Sequence, residues 1–337
     1  MNLNILWFIL IGVLFTGYFV LEGFDFGVGM SIPFLGHTDE ERRIVINSIG
    51  PFWDANEVWF LTAGGAMFAA FPNWYATFFS GFYLALFLLL IALIGRGVGF
   101  EFRSKINDAR WRKVWDSVIF VGSLLPPLLV GVAFSDFMRG MPIDANMNYM
   151  GGFFGLLSPY SVLGGISLVL LSLAHGSLFL SLRTTGSMQD RARQLGVRTG
   201  AIATIALFIF LIASAFSTSM FQRGIFSPGY LALLGGIILV STPFLLKAKK
   251  DGWAFAITAI TLFCSTATVF LTLFPNVMIS SINHAFNLTI YNAASNAYSL
   301  HVMTIVALTL VPIVLIYQGW SYWVFRRRIK PTDHLDY

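Results

Sequence analysis

Charge is scarce in this chain. Asp, Glu, Lys and Arg make up only 11% of 337 residues, against roughly 25% in a soluble domain, too few to cover the surface of a soluble protein of this size. Cysteine is all but missing. Cys264 stands alone inside an apolar run, which excludes an intrachain disulfide and reads as a buried structural thiol rather than a reactive one. Histidine is also sparse: His37, His175, His284, His301 and His334 form no close pair with ligand spacing, and only His175 lies well within an apolar run. The residues alone therefore offer no metal or haem site. No basic stretch precedes the first apolar run and no small-residue cleavage site follows it, so this run is expected to be a retained span rather than a signal peptide.

What is abundant is hydrophobic: 57% of the chain, with 34 phenylalanines. The expected class is an all-α integral membrane protein. A spanning helix needs about 20 apolar residues, and nine segments qualify: 5–30, 51–71, 75–97, 116–136, 159–182, 198–220, 229–247, 253–274 and 299–325. Pro72 and Asn73 separate the second from the third, and Lys249, Lys250, Asp251 and Gly252 the seventh from the eighth. The net charge of +5 does not point to nucleic acid, because the cations sit in short loops between apolar runs. One set of alternate loops holds 19 Lys and Arg residues, and the other only Arg139 and Arg223. By the positive-inside rule the N-terminus is then expected outside and the C-terminus in the cytoplasm. Trp320, Tyr322 and Trp323 before the basic tail read as an interfacial aromatic belt, and the basic, aromatic stretch 100–115 as a segment lying along the cytoplasmic surface.

Four acids break the apolar pattern. Glu22 and Asp25 lie in the first segment, and Asp54 and Glu57 open the second. An Asp at a membrane helix centre costs about 2.5–3.5 kcal/mol on insertion scales. Residues three apart share a helix face, so each helix offers a two-carboxylate stripe. On the expected topology all four acids lie toward the cytoplasmic side and converge if the two helices pack together. Asp116 and His175 fall in the same half. Competing readings exist for each. Asp54 also suits the cap of its helix, Glu57 a hydrogen-bonded acid, and His175 a hydrogen-bonded core histidine. Gly23, Gly27 and Gly29 suit close helix packing.

These motifs carry a family resemblance. LEGFDFGVG (21–29), ERRIVINSIGPFWDANEVWFLTAGGAMFAAFP (41–72), FSGFY (79–83), GVGFEFRSK (97–105), WRKVWD (111–116) and GSLLPPLLVGVAF (122–134) resemble subunit II of the cytochrome bd-type quinol oxidases. LTIYNA and HVMTIVALTLVPI, within 273–317, continue the match, while 183–250 follows it in hydropathy more than in motif. Ala55 stands where the family often has Gly, and Glu22 where it has Asp.

The resemblance implies nine transmembrane helices arranged as two four-helix bundles plus a peripheral ninth. On this chain they map to 1–137, 138–298 and 299–337. It implies a subunit of a respiratory quinol oxidase in the bacterial cytoplasmic membrane, reducing oxygen to water. Two b-type haems and one d-type haem belong to the partner, subunit I, and none is ligated here. Asp54 and Asp25, with Glu57 and Glu22 beside them, fall on or near the family's proton path from the cytoplasm. Trp53 matches an aromatic near a bound quinone or lipid. The resemblance also admits a structural quinone and a small single-helix accessory subunit. A reading from another class, a proton-coupled secondary transporter, would also place acids in membrane helices, but predicts midplane sites and inverted repeats, and no repeat is visible.

Overall fold

The computed structural model of the protein describes residues 2–330 and 335; His334 and most of the tail beyond 330 lie outside it. The chain folds into helices α1 (Leu3–Leu35), α2 (Asp39–Ile49), α3 (Trp53–Ala70), α4 (Pro72–Gly81), α5 (Tyr83–Phe102), α6 (Ala109–Arg139), α7 (Gly152–Gly155), α8 (Pro159–Arg183), α9 (Gly186–Ser217), α10 (Gly229–Leu239), α11 (Thr242–Lys247), α12 (Asp251–Leu273) and α13 (Ala297–Val324). The long loop before α13 adds a small antiparallel pair, Asn276–Met278 with Leu288–Thr289.

Among the described residues, eight helical segments are long and apolar enough to cross a membrane, with α10 and α11 counting as one. The predicted second span, 51–71, forms a helix but is not among the eight. At 18 residues, and carrying Asp54, Asn56 and Glu57 in its first turns, α3 has no room for an uninterrupted apolar stretch of the length the others hold. The predicted third span, 75–97, is shifted. Pro72 opens the separate short helix α4, and the apolar span itself is Tyr83–Phe102. The stretch 100–115 is divided: α5 runs to Phe102 and α6 starts at Ala109, with a turn between them.

The centre of the fold is α1, which packs against α3, α6, α8 and α12. At one end of the helices aromatic rings fill the interior. Phe15 and Phe19 meet Phe134 edge-on at 5.0 and 5.4 Å, and Phe8 meets Phe270 at 5.5 Å. At the opposite end an arginine-rich layer closes the bundle. Asp116 binds Arg103 at 2.5 Å and Arg42 at 2.9 Å, and Asp39 binds Arg103 and Arg112 at 2.8 and 2.9 Å. Asp116, itself buried, thus ties α2, α5 and α6 together. At this same end Arg183 donates to the carbonyls of Phe325 and Arg327, and Arg328 to that of Thr184 at 2.7 Å. These bonds strap residues 325–329 across the end of α8.

Helix α2 is a further feature of this layer that hydropathy alone does not find. Its signal is the capping box Thr38–Asp39–Glu40–Glu41, in which the Thr38 hydroxyl accepts from Glu41 N and the Glu41 carboxylate accepts from Thr38 N. Glu41 also pairs with Arg191 of α9. Partial burial pushes its carboxyl up, but the Arg191 guanidinium and the His37 and Thr38 N–H groups outweigh burial and hold it below the ordinary glutamate value. The stabilisation is therefore present above pH 4.5 and lost as pH falls through the lowered value. Glu41→Gln is expected to lower the thermal midpoint modestly at pH 7, with the gap to wild type closing as the pH falls through the lowered value; thermal unfolding across the acidic range checks this.

Candidate functional site

The interior of the bundle toward the arginine-rich end holds a polar cluster. Every residue of α1 from Glu22 to Ile32 is buried, so its i and i+3 acids, Glu22 and Asp25, have no route to solvent. Their counter-ion comes from α5. Arg96 has no exposed surface; its Nη1 donates to Glu22 and lies 3.7 Å from Glu57 Oε2. Its guanidinium carbon rests over the rings of Phe26 and Phe100, 4.8 and 5.3 Å from their centroids, a cation–π cradle for a charge removed from water. Three helices thus deliver two acids to one arginine, with Asp25 beside them.

Asp25 is held from a different side. Its Oδ2 accepts from Asn56 Nδ2 at 2.6 Å. Asn56 Oδ1 in turn accepts from Tyr322 OH at 2.8 Å and Gln318 Nε2 at 3.1 Å, and Gln318 Oε1 accepts from Trp59 Nε1 at 3.0 Å. The Tyr322 ring stacks on Phe52, 4.5 Å away and 7° from parallel. This network pins α13, whose spanning surface is otherwise almost wholly exposed, to the first turns of α3.

Three of the four sequence-predicted acids therefore meet, and the fourth does not. Asp54 is exposed on the outward side of α3. It makes no cap bond, since the N-cap position is Phe52 and carries no side-chain cap. Asp54, Val58, Leu61, Thr62, Gly65 and Phe68 share that exposed stripe. Trp53 is half-buried and packs on Phe100 at 5.2 Å, so it touches the ring that also holds Arg96.

Arg96, Asn56 and Gln318 are the functional candidates that sequence reasoning missed. Arg96 stands where an apolar run meets a basic loop, the usual place for a topology-setting cation. Its partner Glu22 lies 74 positions away. The signal that could have found it is its place in LIALIGRGVGF, a run with no other charge.

Not every polar atom of the cluster finds a protein partner. Glu22 Oε2, Asp25 Oδ1, Tyr18 OH, Arg96 Nε and Arg96 Nη2 are buried without a hydrogen bond to protein. Each such atom costs about 1–3 kcal/mol unless water or a proton satisfies it.

His175 lies close by but is engaged. Its Nε2 donates to Val20 O at 3.1 Å, its Nδ1 faces the Thr258 hydroxyl at 2.6 Å, and its ring stacks on Phe255. His37, His284 and His301 are exposed. Among the described residues no group of three or more His, Cys, Asp or Glu is placed to hold a metal ion.

A sequence model of the cytochrome bd terminal oxidase subunit II family matches residues 3–325. The chain belongs to that family. It is similar to cytochrome bd ubiquinol oxidase subunit 2 of Bacillus subtilis, 50% identical over 336 residues, covering 100% of this chain and 99% of the relative. Cytochrome bd-I ubiquinol oxidase subunit 2 of Escherichia coli is 39% identical over 373 residues, covering 98% and 96%. The same fold occurs in the bd oxidase from Geobacillus thermodenitrificans, at a TM-score of 0.75 and 16% identity, over 96% of this chain and 99% of that one. As a bd oxidase subunit II, the chain is a bacterial membrane protein and part of a respiratory oxidase complex. That membership implies a subunit I partner and haems in the complex.

Proposed function

We propose that this chain is the non-haem subunit of a quinol:oxygen oxidoreductase, and that its buried carboxyl cluster supplies cytoplasmic protons to haems held by subunit I. The observation that carries the proposal is the set of three acids around one arginine, two fully buried and the third partly so. Glu22 and Glu57 face a single cation with Asp25 beside them, and each of the three carries an oxygen with no protein hydrogen bond. Acids kept inside a membrane helix bundle are a functional-site hypothesis by default. Three carboxyl groups against one guanidinium can hold and release a proton without leaving the arginine unpaired.

The order of the path follows from exposure. Asp54 stands at the surface one turn from Glu57, and Glu57 is one-fifth exposed while Glu22 is fully buried. Protons would pass from Asp54 to Glu57, then to Glu22 and Asp25. The distribution of Lys and Arg, 19 against two, supports the arginine-rich end as the cytoplasmic one, with the N-terminus outside. On this reading α3 is a ninth span, short and polar because it is sheltered by protein rather than lipid. An exposed stripe holding Asp54, Thr62 and Gly65 suits a protein neighbour better than hydrocarbon. Subunit I is the neighbour proposed there. Two four-helix bundles (1–137 and 138–298) and a peripheral ninth helix (from 299) complete the arrangement, with a structural quinone or lipid against Trp53.

Asp54→Asn tests the entry step. In the purified complex, oxygen consumption is expected to fall about a hundredfold, the low end of what a positioned proton-transfer group contributes, while the haem spectrum stays unchanged. Normal turnover would remove Asp54 from the path. Loss of the haems would assign it to assembly instead.

A further inference from the structure

A second site lies where α5 and α6 splay apart. Gly122 brings the two helices together: a Cβ there would lie 2.6 Å from Ala92 O. Around that close approach the side chains diverge and leave a groove of about 700 Å³. Its walls are Leu88 and Ile91 from α5 and Val114, Val121 and Leu125 from α6, and at its arginine-rich end stand Arg110 and Lys113. Leu88, Ile91, Val114 and Val121 are all between two-fifths and three-fifths exposed.

The two cations differ from their neighbours. Arg103 is committed to Asp116 and Asp39, and Arg112 to Asp39 and Asn107. Arg110 and Lys113 are exposed and form no ion pair among the described residues. The acid nearest them in sequence, Asp108, accepts from Trp111 N as the cap of α6. From Arg110 to Leu125 the helix rises roughly 22 Å. One leaflet has about 15 Å of hydrocarbon plus its headgroup layer. With Leu125 near the bilayer centre, Arg110 and Lys113 therefore sit at headgroup depth. An apolar trough one leaflet deep with two free cations at its mouth has the shape and charge of a phospholipid.

We propose that the α5–α6 groove binds one anionic phospholipid, its acyl chain along Leu88, Ile91, Val121 and Leu125 and its phosphate at Arg110 and Lys113. The proposal rests on membrane insertion, not on the proton-supply reading, and fails or stands independently of it. An uncharged apolar helix would fill the trough but leave the two cations unmatched, and a zwitterionic lipid brings a cation of its own beside its phosphate.

The test uses the purified oxidase complex in detergent, stripped of loosely held lipid and titrated with phosphatidylglycerol or phosphatidylcholine, with bound lipid counted by native mass spectrometry. One phosphatidylglycerol per complex is expected to survive stripping and to be lost in the Arg110→Gln/Lys113→Gln variant, whose affinity should fall about 30-fold for two headgroup cations. Val121→Trp, which fills the trough and leaves both cations in place, is expected to lose the same lipid. An unchanged haem spectrum in both variants shows that the complex is intact. Equal retention of the two lipids by the wild type, retention of phosphatidylglycerol by both variants, or recovery of a polypeptide in place of the lipid would overturn the proposal.

Discussion

Arg96→Leu is expected to leave almost no assembled complex in the membrane. The substitution keeps the side chain's bulk but removes the only cation that faces Glu22 and Glu57 among the described residues. Breaking a buried pair by deleting one partner costs about 3–5 kcal/mol, because the other charge stays buried and uncompensated. A folded protein has about 5–15 kcal/mol to lose in total. Arg96→Lys is expected to recover only part of the complex. Lysine restores a point charge but not the planar fork, nor the guanidinium stacking over Phe26 and Phe100. Glu22→Gln introduced together with Arg96→Gln is expected to do better than Arg96→Leu, since it leaves no unpaired charge at that contact. Haem absorbance of the complex after gentle solubilisation measures all three.

An effect of similar size is expected at Gly176, for a steric reason. Here α8 crosses α1 with the backbones in contact. A Cβ on Gly176 would fall 2.3 Å from the carbonyl carbon of Gly27 and 2.5 Å from its Cα, and one on Gly27 would fall 1.9 Å from Ser172 O. No side chain can turn aside, because the atoms met are backbone. Overpacking a core costs about 1–3 kcal/mol and occasionally more, and a contact that must separate two helices lies at or beyond the upper end. Gly176→Val is expected to abolish assembly and Gly176→Ala to reduce it by more than half, whereas Gly252→Ala, where a Cβ would meet nothing within 4 Å, should leave it unchanged. Yields of complex from matched membranes decide the point. The crossing also fixes the site, since Gly27 is two residues from Asp25 and Gly176 adjoins His175.

Much of this architecture is legible in the residues themselves. Apolar runs mark the spanning helices because the bilayer demands internally bonded backbone. Pro72 does end one helix and open another. The acids of LEGFDFGVG and of the segment that follows announce a site because their cost in an apolar segment needs a reason. The Gly27 packing reading was equally accessible.

What stayed hidden has a common cause: partners distant in sequence. Arg96 has the position of an ordinary loop cation, and only folding sets it against Glu22. Tyr322 has the position of an interfacial aromatic, and Trp320 and Trp323, both more than half exposed, fit that reading. Tyr322 itself turns inward to donate to Asn56. Asn56 sits between Asp54 and Glu57 in one motif, yet helical geometry points it to the opposite side from Asp54, so one turn splits the motif into a buried anchor and an exposed acid. The amide carries no charge and draws no notice in a charge-based reading.

On the proposed function, Asp25 and its neighbours carry protons inward from the cytoplasmic face. Asp25→Asn keeps the size of the side chain and an oxygen able to accept from Asn56 Nδ2, but cannot carry a proton. The measurement is proton uptake from the cytoplasmic side of the complex in sealed proteoliposomes, followed with a pH-sensitive dye during quinol oxidation. Uptake and oxygen consumption are expected to fall together by about a hundredfold, with the haem spectrum unchanged. Wild-type uptake by a correctly assembled Asp25→Asn complex would contradict the account.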